Sequence, residues 1–418
     1  MRFSMQFDVL VLGGGIVGTA QALDLALRGK SVGLIERGTP GGATSFGNAG
    51  LIQSEAMMPY AFPRDPLLLL QYAFNLKPEA HYHLKDVFKV APFLYRYFRS
   101  SNREGQLKTA AANFPIFSRC LAEHERLAKA AGASAMLRHG GWIKAFRDAK
   151  HMDADIRQTA IDVAPFGVQY EVLDRKGMQA AEPNLSDVIV GGIKWSTPYS
   201  LNDPEALTLA YAKAFEALGG KILNGNAMTL AQEQAGWSVK TVEGVASAPD
   251  CVVALGPWAP DLLRPMGYKV PMGYKRGYHV HMRPKGNATL NLPVLDADVG
   301  YMMVPMARGI RLTSGAEFAD RDSPETPVQI DMIEPYAREM MPLEGRVEAK
   351  PWMGVRPCMP DMLCVMGKAP KHKGLWLNFG HAHHGLTLAG ASARLLGEMI
   401  TGEAPYTDPT PYNLARFQ

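Results

Sequence analysis

The most constraining feature of the chain is a glycine-rich turn that joins an apolar run to an amphipathic segment. Residues 7–18 read Phe-Asp-Val-Leu-Val-Leu-Gly-Gly-Gly-Ile-Val-Gly, so Gly13, Gly15 and Gly18 have the spacing G-x-G-x-x-G. This spacing, after a strand and before a helix, is typical of a dinucleotide-binding turn. The pattern predicts a buried parallel strand and a helix that begins at Ile16 and directs its N–H groups at a pyrophosphate.

A second apolar run ends at an acidic residue at about the distance expected for a ribose contact. Glu36 closes the sequence Ser-Val-Gly-Leu-Ile-Glu. A carboxylate at this position favours a free 2′-hydroxyl, hence FAD or NAD rather than NADP. The alternatives are a glycine-rich hairpin without a ligand and a simple surface role for Glu36. The sequence lacks a second G-x-G-x-x-G, which argues against enzymes that bind FAD and NAD at two separate dinucleotide folds.

Length and composition narrow the class of protein. The chain has 418 residues, which is more than one typical core, so we expect two domains. Its formal charge of +4 is small and no basic block is long, so we expect no nucleic-acid partner. The cysteines are scattered, without a disulfide framework or zinc spacing, which favours a reducing cytoplasm. No apolar run is long enough for a membrane-spanning helix.

Changes in the pattern of apolar and polar residues along the chain predict two discontinuous domains. Segments 1–58, 203–266 and 350–418 combine buried strands with helices, and we expect them to form a Rossmann-like parallel-sheet domain. Segments 59–202 and 267–349 mix helical periodicity with strand-like runs, and we expect an inserted mixed-sheet domain that binds the substrate. The predicted fold class is therefore α/β, or α+β overall.

Particular elements follow from caps and apolar periodicity. Asp203 before Pro204 predicts the start of a helix. Helical periodicity extends over 114–131, and a helix over 387–400 is expected to end at Gly402.

One stretch is a candidate for peripheral contact with a membrane. Residues 66–74 are almost wholly apolar, and 87–98 are apolar and aromatic with cations around them. Such a surface, within 66–98, could dock on the inner face of a membrane. The alternative, which we prefer slightly, is a pair of helices that pack over the substrate domain.

Four further segments resemble those of one family, in the same order. Residues 43–50, Ala-Thr-Ser-Phe-Gly-Asn-Ala-Gly, resemble the Thr-Ser-x-x-Asn-Ala-Gly loop of the D-amino-acid dehydrogenase group, within the glycine/sarcosine/D-amino-acid oxidase family of flavoenzymes. Residues 254–258 resemble its Ala-x-Gly-x-Trp strand end. Residues 352–361 resemble its Gly-Leu-Arg-Pro-x-x-Pro-Asp signature. Residues 376–387 resemble its terminal Gly-His-x-x-x-Gly-x-Thr loop, and the likeness spans essentially the whole chain.

The sequence departs from the family pattern at two places. The family usually has Thr-Pro-Asp-Gly where this chain has Met-Pro-Asp-Met at 359–362. The terminal loop reads Gly-His-Ala-His-His-Gly, with two extra histidines. Both departures lie where the substrate is expected, so they leave its identity open.

The resemblance implies FAD, and it implies that the flavin is not covalently attached. The sarcosine-oxidase branch attaches flavin through a cysteine at the position of Gly354, and Cys358 lies four residues away. The helix that begins near Leu386 would direct its N–H groups at the N1/O2 edge of the flavin, where negative charge appears on reduction. The predicted cofactor contacts are Gly13, Gly15, Ile16, Val17, Gly18, Glu36, Arg37, Thr44, Ser45, Asn48, Ala49, Gly50, Ala227, Gly256, Trp258, Gly380, His381, Gly385, Leu386 and Thr387.

An arginine is the leading candidate for substrate binding. Arg356 carries a guanidinium fork that matches a carboxylate and stays charged, and by resemblance the arginine at this place binds the substrate carboxylate. A surface ion pair is the alternative. Tyr278 and Tyr301 are candidates for hydrogen bonds to the substrate or for a lid over it, with a core position as the equal alternative. Arg276 is a weaker candidate.

The terminal loop adds histidines to the candidate site. His383 or His384 could reach the substrate face and contact the imine or the carboxylate. These two with His381 could alternatively form a metal cluster, but no Cys, Asp or Glu accompanies them at ligand spacing, so we expect no metal.

Together these observations predict an FAD-dependent enzyme that oxidatively deaminates an amino acid, either a D-amino acid or an imino or N-alkyl amino acid. The Cα hydride would pass to flavin N5. No general base is obligatory, since a neutral amine can lose hydride directly. Electrons would leave to a quinone or another carrier. The alternatives are an oxidase of the same fold that uses O2, a substrate-less electron-transfer subunit and an NAD-dependent dehydrogenase.

Overall fold

A computed structural model describes residues 4–418. The strands, in chain order, are β1 (Ser4–Gln6), β2 (Val9–Leu12), β3 (Val32–Glu36), β4 (Leu51–Ile52), β5 (Ala80–Tyr82), β6 (Trp142–Phe146), β7 (Glu171–Asp174), β8 (Gly191–Trp195), β9 (Tyr199–Ser200), β10 (Lys221–Asn224), β11 (Ala231–Glu233), β12 (Gly236–Lys240), β13 (Val245–Ala248), β14 (Asp250–Val253), β15 (Gly273–Pro284), β16 (Val294–Asp296), β17 (Tyr301–Met306), β18 (Gly309–Thr313), β19 (Ala316–Phe318), β20 (Leu343–Arg346), β21 (Trp352–Cys358), β22 (Val365–Lys368) and β23 (Leu375–Phe379). The helices are α1 (Ile16–Leu27), α2 (Pro66–Ala73), α3 (Val87–Ser100), α4 (Arg103–Phe117), α5 (Cys120–Ala130), α6 (Ala149–Val163), α7 (Arg175–Ala181), α8 (Pro204–Ala217), α9 (Ala259–Leu263), α10 (Val328–Met340) and α11 (Gly385–Thr401).

A six-stranded sheet carries the glycine-rich turn. Its order is β10-β3-β2-β14-β23-β22; the first five strands are parallel, and β22 is antiparallel to β23. Every residue of β2 is buried, as expected of a parallel sheet that is covered on both faces. The predicted buried parallel strand before the turn is therefore confirmed, and so is the α/β fold class.

Different layers cover the two faces of this sheet. Helices α1, α5, α8 and α11 share one apolar cluster, in which Leu23, Tyr211 and Leu396 pack against Val11 of β2. The opposite face is covered by α9 and by a four-stranded sheet of order β1-β13-β12-β11, which holds the buried indole of Trp237. The glycine-rich turn thus begins a helix that is fixed between a sheet and three other helices.

A larger mixed sheet forms the rest of the molecule. This eleven-stranded sheet follows the order β5-β19-β15-β18-β17-β16-β6-β8-β7, and β20 and β21 also pair with β15. Strand β21 is antiparallel to β15, from Gly273 opposite Cys358 to His279 opposite Trp352. Helix α10 packs on this sheet through residues such as Ile333. The pairing of β21 brings residues 352–358 against residues 273–279, which lie far away in sequence.

The helix boundaries agree with the predicted caps. Helix α1 begins at Ile16, as predicted. The Asp203 side chain accepts a hydrogen bond from the Ala206 N–H at 3.0 Å and caps α8. Helix α11 begins at Gly385, two residues before the predicted start, and ends at the left-handed Gly402 as predicted.

The helical periodicity over 114–131 is divided between two helices. Helix α4 ends at Phe117 and α5 begins at Cys120. Pro115 lacks the N–H that would continue the hydrogen-bond ladder, and its carbonyl accepts a hydrogen bond from Ser118 Oγ at 3.1 Å. The chain therefore turns between the two helices.

The division into two discontinuous domains stays a proposal, and sheet membership refines it. Strand β21 was predicted within segment 350–418 of the parallel-sheet domain, but it pairs with β15 of the mixed sheet. We therefore propose that the last domain boundary lies near residue 359 rather than residue 350.

Candidate active site

One large cavity connects the glycine-rich turn with the mixed sheet. Its volume is about 850 Å³. Gly13 and Glu36 line one region of it, Gly385 of α11 lines another, and Arg356 of β21 lines a third. The predicted cofactor residues that line it are Gly13, Gly15, Ile16, Val17, Glu36, Arg37, Thr44, Ser45, Asn48, Ala49, Ala227, Gly256, Trp258, Gly380, His381, Gly385 and Leu386.

Two glycines of the turn, Gly13 and Gly18, have no space for a side chain. A Cβ on Gly13 would lie 2.6 Å from the Ala254 carbonyl oxygen, and φ at Gly13 is +103°. A Cβ on Gly18 would lie 1.9 Å from the Gly13 carbonyl oxygen. Gly18 does not line the cavity, so its role is close packing of α1 against the turn. A Cβ on Gly15 would instead lie at the cavity, 3.4 Å from Ser45 Oγ.

The acid and the loop that follow the turn are tied to it by hydrogen bonds. Gly14 N–H donates to Glu36 Oε2 at 2.6 Å, and Gly38 N–H donates to Oε1 at 2.9 Å. Ile16 N–H donates to Ser45 Oγ at 2.9 Å, so this serine satisfies an N–H of the first turn of α1. Both side chains line the cavity, which suits the ribose and pyrophosphate of a dinucleotide.

The loop of residues 43–50, which follows Glu36, is also fixed to the mixed sheet. Thr44 Oγ1 donates to the Val355 carbonyl at 3.3 Å, and Arg311 Nη1 donates to the Asn48 carbonyl at 2.6 Å. Gly50 lies outside the cavity lining at φ +70°, and a Cβ there would be 2.5 Å from the Leu201 carbonyl oxygen. Its role is close packing of the loop rather than direct contact.

A cation and an indole meet at the same end of the cavity. The Arg37 guanidinium lies 4.8 Å from the ring centroid of Trp258, within cation–π range. Gly256 and Ala227 line the cavity beside them. The strand end resembling Ala-x-Gly-x-Trp is therefore adjacent to the dinucleotide turn, as the resemblance implies.

The N-terminus of α11 opens into the other region of the cavity. No side chain caps this helix, and Gly385 and Leu386, whose N–H groups have no partner within the helix, both line the cavity. Thr387 lies outside the lining: its Oγ1 donates to the Leu51 carbonyl and accepts from Gln53 N–H, each at 3.2 Å. Thr387 therefore positions the helix rather than a ligand.

These features together fit an FAD molecule. The cavity is bounded by a cradle that glycines keep free of side chains, by the N-terminus of α1 and by the N-terminus of α11. The four cysteines are buried, and no described cysteine lines the cavity. Non-covalent binding of the flavin stays a prediction.

Two cations lie side by side in the cavity without a carboxylate partner. Arg356 of β21 is directly opposite Lys275 of β15, and both line the cavity. Arg356 Nη1 donates to the Gly315 carbonyl at 3.1 Å, and neither cation forms an ion pair within residues 4–418. The Lys275 ammonium lies 4.1 Å from the ring centroid of Tyr97. Burial lowers the pKa of Arg356, and it lowers that of Lys275 to about 8.

Lys275 did not emerge from the sequence. Its segment reads Lys-Arg-Gly-Tyr at 275–278, and polar residues there alternate onto both faces of the strand. Only the pairing with β21 shows that Lys275 shares a face with Arg356.

Arg276 and Tyr278 form a saturated buried network. Arg276 forms an ion pair with Glu317 at 2.6 Å and also donates to the Tyr278 hydroxyl at 2.8 Å. The Tyr278 hydroxyl donates to Glu317 Oε2 at 2.7 Å and accepts from Thr326 N–H at 2.9 Å. Although Tyr278 borders the cavity, its hydroxyl has no hydrogen-bonding capacity left for a substrate. We therefore propose that Tyr278 takes the core position, which was the equal alternative, and that Arg276 also supports the structure.

Tyr301 is also a core aromatic by its geometry. It is buried, and its hydroxyl contacts Met340 Sδ at 3.4 Å. Burial raises the pKa of its phenol. Part of Tyr301 borders the cavity, but its hydroxyl donates to Met340 and lies beside Arg147 and Asp296, so we propose a core position for it.

The histidines of the terminal loop are neutral groups at the cavity wall. Burial lowers the pKa of His381 to about 4. Burial and the neighbouring His381 lower the pKa of His384 to about 3. Burial, His384, Arg356 and Lys275 all lower the pKa of His383. Within residues 4–418, His381 Nε2 and His384 Nδ1 have no hydrogen-bond partner. These nitrogens can therefore bind a ligand without adding charge.

A buried glutamate also lines the cavity and was not predicted. Glu55 Oε1 accepts hydrogen bonds from Trp142 Nε1 at 2.7 Å and from Gln53 Nε2 at 3.2 Å. Its Oε2 has no partner among the described residues. Burial raises the pKa of this carboxyl to about 7. An acid inside the apolar run 49–58 was the available sequence signal.

Residues 4–418 contain neither a cluster of metal ligands nor a helix that could span a membrane. No three His, Cys, Asp or Glu side chains of this part of the chain lie together as metal ligands would. None of its helices is both long and apolar enough to cross a bilayer.

Comparison with known proteins identifies related sequences over nearly the whole chain. The family model described as "FAD dependent oxidoreductase" matches residues 8–399. A D-amino acid dehydrogenase of Cereibacter sphaeroides is 30% identical, covering 98% of this chain and 95% of its own length. A D-amino-acid oxidase of Bradyrhizobium diazoefficiens is 28% identical, covering 98% of each.

Solved structures share the fold. The crystal structure of glycine oxidase from Geobacillus kaustophilus superimposes with a TM-score of 0.74 at 22% identity, covering 99% of this chain and 100% of the other. At 22% identity the likeness supports the fold alone, so a proposed reaction has to be argued from the residues of the site.

Proposed function

The chain belongs to the family of FAD-dependent oxidoreductases, and from this premise we propose that it oxidatively deaminates an amino acid. The proposed substrates are D-amino acids and imino or N-alkyl amino acids. The pair of unpartnered cations, Arg356 and Lys275, carries this proposal. Both line the cavity that begins at the glycine-rich turn, so an anionic substrate held there would lie in the same cavity as the flavin.

A carboxylate is the ligand that these cations fit best. The Arg356 fork can donate two parallel hydrogen bonds to a carboxylate, and the Lys275 ammonium adds a point charge beside it. Burying such cations without a counter-ion is unfavourable, and a bound carboxylate would relieve that penalty. When bound, FAD supplies the acceptor for the hydride that leaves the substrate Cα.

The other residues of the cavity would orient the substrate and stabilise charge. The N–H groups at Gly385 and Leu386 would stabilise negative charge at the flavin edge nearest to α11. His383 and His384, held neutral by burial, would contact the substrate without repelling the cations. The aromatic ring of Tyr60 lies over His383 with centroids 5.2 Å apart and would limit access of water.

A screen of purified enzyme tests the proposed reaction. D- and L-amino acids, imino acids and N-methyl amino acids are mixed with the protein without oxygen, and bleaching of the visible flavin band is recorded. We expect bleaching by a subset of these acids and none by the corresponding amines that lack a carboxylate. A yellow protein that no amino acid bleaches would contradict the proposal and favour a substrate-less electron-transfer subunit. A colourless protein active with NAD would favour a nicotinamide dehydrogenase.

For the electron acceptor we propose a quinone or another carrier, with O2 as the alternative. The relatives include both a dehydrogenase and an oxidase by name, so the acceptor must be measured. After anaerobic reduction by substrate, reoxidation by a quinone analogue is compared with reoxidation in air. Faster reoxidation by the quinone supports a dehydrogenase, and faster reoxidation in air supports an oxidase.

We further propose that the surface 66–98 docks on a membrane, which is where a lipid-soluble quinone would be met. Helix α2 has no buried residue although it reads Pro-Leu-Leu-Leu-Leu-Gln-Tyr-Ala. Phe88 is 90% exposed and Leu84 is 76% exposed, so apolar side chains continue along the surface. Cations such as Arg96 and Arg99 lie on α3. Apolar side chains beside cations suit an anionic bilayer.

Sedimentation with phosphatidylglycerol vesicles tests the docking surface. We expect wild type to sediment with the vesicles and the variant Leu70→Ser/Phe88→Ser to stay in solution. The matched control is Leu218→Ser, which replaces an exposed leucine after α8, outside this surface. Equal sedimentation of all three proteins, or of none, would contradict docking through 66–98.

A further inference from the structure

Glu55 is a carboxylate in the wall of the proposed substrate cavity. It follows β4 by three residues and is 8% exposed. Oε1 is fixed by Trp142 and Gln53, while Oε2 is buried and has no hydrogen-bond partner among residues 4–418. An unpartnered buried carboxylate oxygen is unfavourable unless a donor is supplied to it. The donor must come from whatever enters the cavity.

The groups that fix Glu55 also join it to the flavin region. Gln53, which donates to Glu55, is held through its backbone N–H by Thr387 in the first turn of α11. That turn lines the cavity with Gly385 and Leu386. Because Oε1 has two donors, rotation that would free it for solvent breaks two hydrogen bonds. Oε2 is therefore the oxygen that is left for a donor from the cavity.

Aromatic packing and charge effects relate Glu55 to the two cations through Tyr60 and His383. Tyr60, on the same loop, packs at a tilt against His383 with ring centroids 5.2 Å apart, and the pKa of His383 is lowered by burial and by His384, Arg356 and Lys275. The surrounding protein and the Glu55 charge raise the pKa of Tyr60 and the Arg356 charge lowers it, although the residue is 64% exposed. The cavity thus has cations and a carboxylate on either side of Tyr60 and His383.

The titratable neighbours of Glu55 are few. Cys120 at the start of α5 is buried, and loss of solvent followed by the Glu55 charge raises the pKa of its thiol. From β6 and α6, Lys144 and Asp155 face the same region, and they form an ion pair at 2.6 Å. Since Lys144 is already paired, none of these described neighbours supplies a cation to neutralise Glu55, and burial raises its pKa to about 7.

We propose that Glu55 Oε2 binds the amino group of the substrate and accepts one proton from it. The assignment rests on the proposed amino-acid substrate and adds a residue that the family resemblance did not indicate. In this step an N–H bond of the substrate ammonium breaks, an O–H bond forms on Oε2, and the electron pair stays on nitrogen. The neutral amine that results is the form from which a hydride can leave Cα.

The opposite charges around the cavity would then recognise both ends of an amino acid. Arg356 and Lys275 bind the carboxylate, and Glu55 binds the ammonium. Glu79 is the rival carboxylate, because it also lines the cavity with an Oε2 that has no partner within residues 4–418. It is only half-buried, which makes Glu79→Gln a matched comparison for Glu55→Gln.

Ligand binding separates a contact with the amino group from a general structural effect. The probes are 2-aminoisobutyrate, an amino acid with no Cα hydrogen, and isobutyrate, which lacks the amino group. If another amino acid reduces the flavin fastest, its α-methyl analogue and its deamino analogue are used. Glu55→Gln should weaken binding of the amino probe about tenfold or more, because a hydrogen bond to a charged group is lost. Binding of the deamino probe should change by less than about twofold. Flavin content and the thermal midpoint verify that each variant is folded.

The pH profile of flavin reduction provides a second readout. Glu55 must be ionised to accept the proton, so reduction of wild type should accelerate as pH rises through about 7. Glu55→Gln should lose this inflection, Glu55→Asp should keep it at a lower rate, and Glu79→Gln should keep it.

The outcomes distinguish this assignment from the proposed function. Equal loss of both probes, or an unchanged pH inflection in Glu55→Gln, would overturn the assignment while substrate-dependent bleaching of wild type upholds the proposed function. Loss of the inflection in Glu79→Gln alone would transfer the role to Glu79. An enzyme that no amino acid reduces would overturn the proposed function and the assignment with it.

Discussion

Each face of strand β15 carries a cation, and the two faces differ in whether a described carboxylate pairs with it. On one face, Arg276 and Tyr278 share their hydrogen bonds with Glu317, and the network is complete. On the other face, Lys275 stands opposite Arg356 in the cavity, and neither has a carboxylate partner within residues 4–418. Side chains alternate between the faces of a strand, so adjacent residues differ in role. A buried charge that is fully partnered supports the fold, whereas one without a counter-ion indicates a ligand.

The largest effect is expected when the Arg276–Glu317 ion pair on the partnered face is broken. Arg276→Met removes one member of a fully buried ion pair and leaves Glu317 uncompensated. We expect the free energy of unfolding to fall by about 3–5 kcal/mol. Denaturant unfolding of the FAD-loaded enzyme measures it. The double variant Arg276→Met/Glu317→Leu is the control, and it should recover much of the loss because no charge is left unpaired. A double variant that is no more stable than the single one would contradict this account.

The next largest effect is expected when the guanidinium of Arg356 is removed from the unpartnered face. Arg356→Leu should lower kcat/KM for the amino-acid substrate about 10²–10³-fold, since a buried charge contact with the carboxylate is lost. Stability should not fall, because within residues 4–418 the guanidinium has no counter-ion to leave behind. Arg356→Lys, which keeps the charge but not the fork, should retain part of the activity. Steady-state kinetics and thermal unfolding are measured on the same preparations, and a stability loss as large as that of Arg276→Met would erase the contrast between the faces.

A smaller effect tests the second cation and its pH dependence. Burial lowers the pKa of Lys275 to about 8, so the ammonium loses its charge as pH rises above that value. Binding of a simple carboxylate should therefore weaken above about pH 8 in wild type, while Lys275→Met should bind about tenfold more weakly at pH 7 and show a flatter profile. Spectral titration of the flavin with isobutyrate measures this. A wild-type profile that the substitution leaves unchanged would exclude Lys275 from the anion site.

The smallest effect concerns the tyrosine of the partnered face. Tyr278→Phe removes a hydroxyl that bonds Glu317, Arg276 and Thr326. We expect a stability loss of about 1 kcal/mol and a flavin-reduction rate within about twofold of wild type. A large fall in that rate without loss of stability would restore Tyr278 as a substrate contact.

The cofactor region was predictable because its chemistry is local in sequence. The turn needs Gly13 and Gly18 at fixed spacing, since any Cβ there would meet a carbonyl oxygen. Glu36 and Ser45 were expected as cofactor contacts; both line the cavity, and they accept hydrogen bonds from the backbone of the turn and of α1. The amino-acid sequence alone therefore predicts the parallel sheet and the FAD-dependent family, and it identifies these two residues of the cavity.

The substrate region was only partly predictable because pairing over long distances builds it. Arg356 was found through a motif, but its neighbour Lys275 is about eighty residues away and shares its face only through the β15–β21 register. Tyr278 stayed undecided between a substrate contact and a core position because the sequence does not show that Glu317 lies on the neighbouring strand β19. Glu55 was missed because one acid within an apolar loop has no periodicity to indicate whether it is buried.

If the unpartnered cations bind the substrate carboxylate, the preference of the enzyme for an acid over its carboxamide depends on Arg356. The rate of anaerobic flavin reduction is measured with the best amino acid and with its carboxamide, for wild type and for Arg356→Leu. Wild type should strongly prefer the acid, and Arg356→Leu should lose this preference while still holding FAD. A variant that prefers the acid as strongly as wild type would show that these cations do not bind the carboxylate.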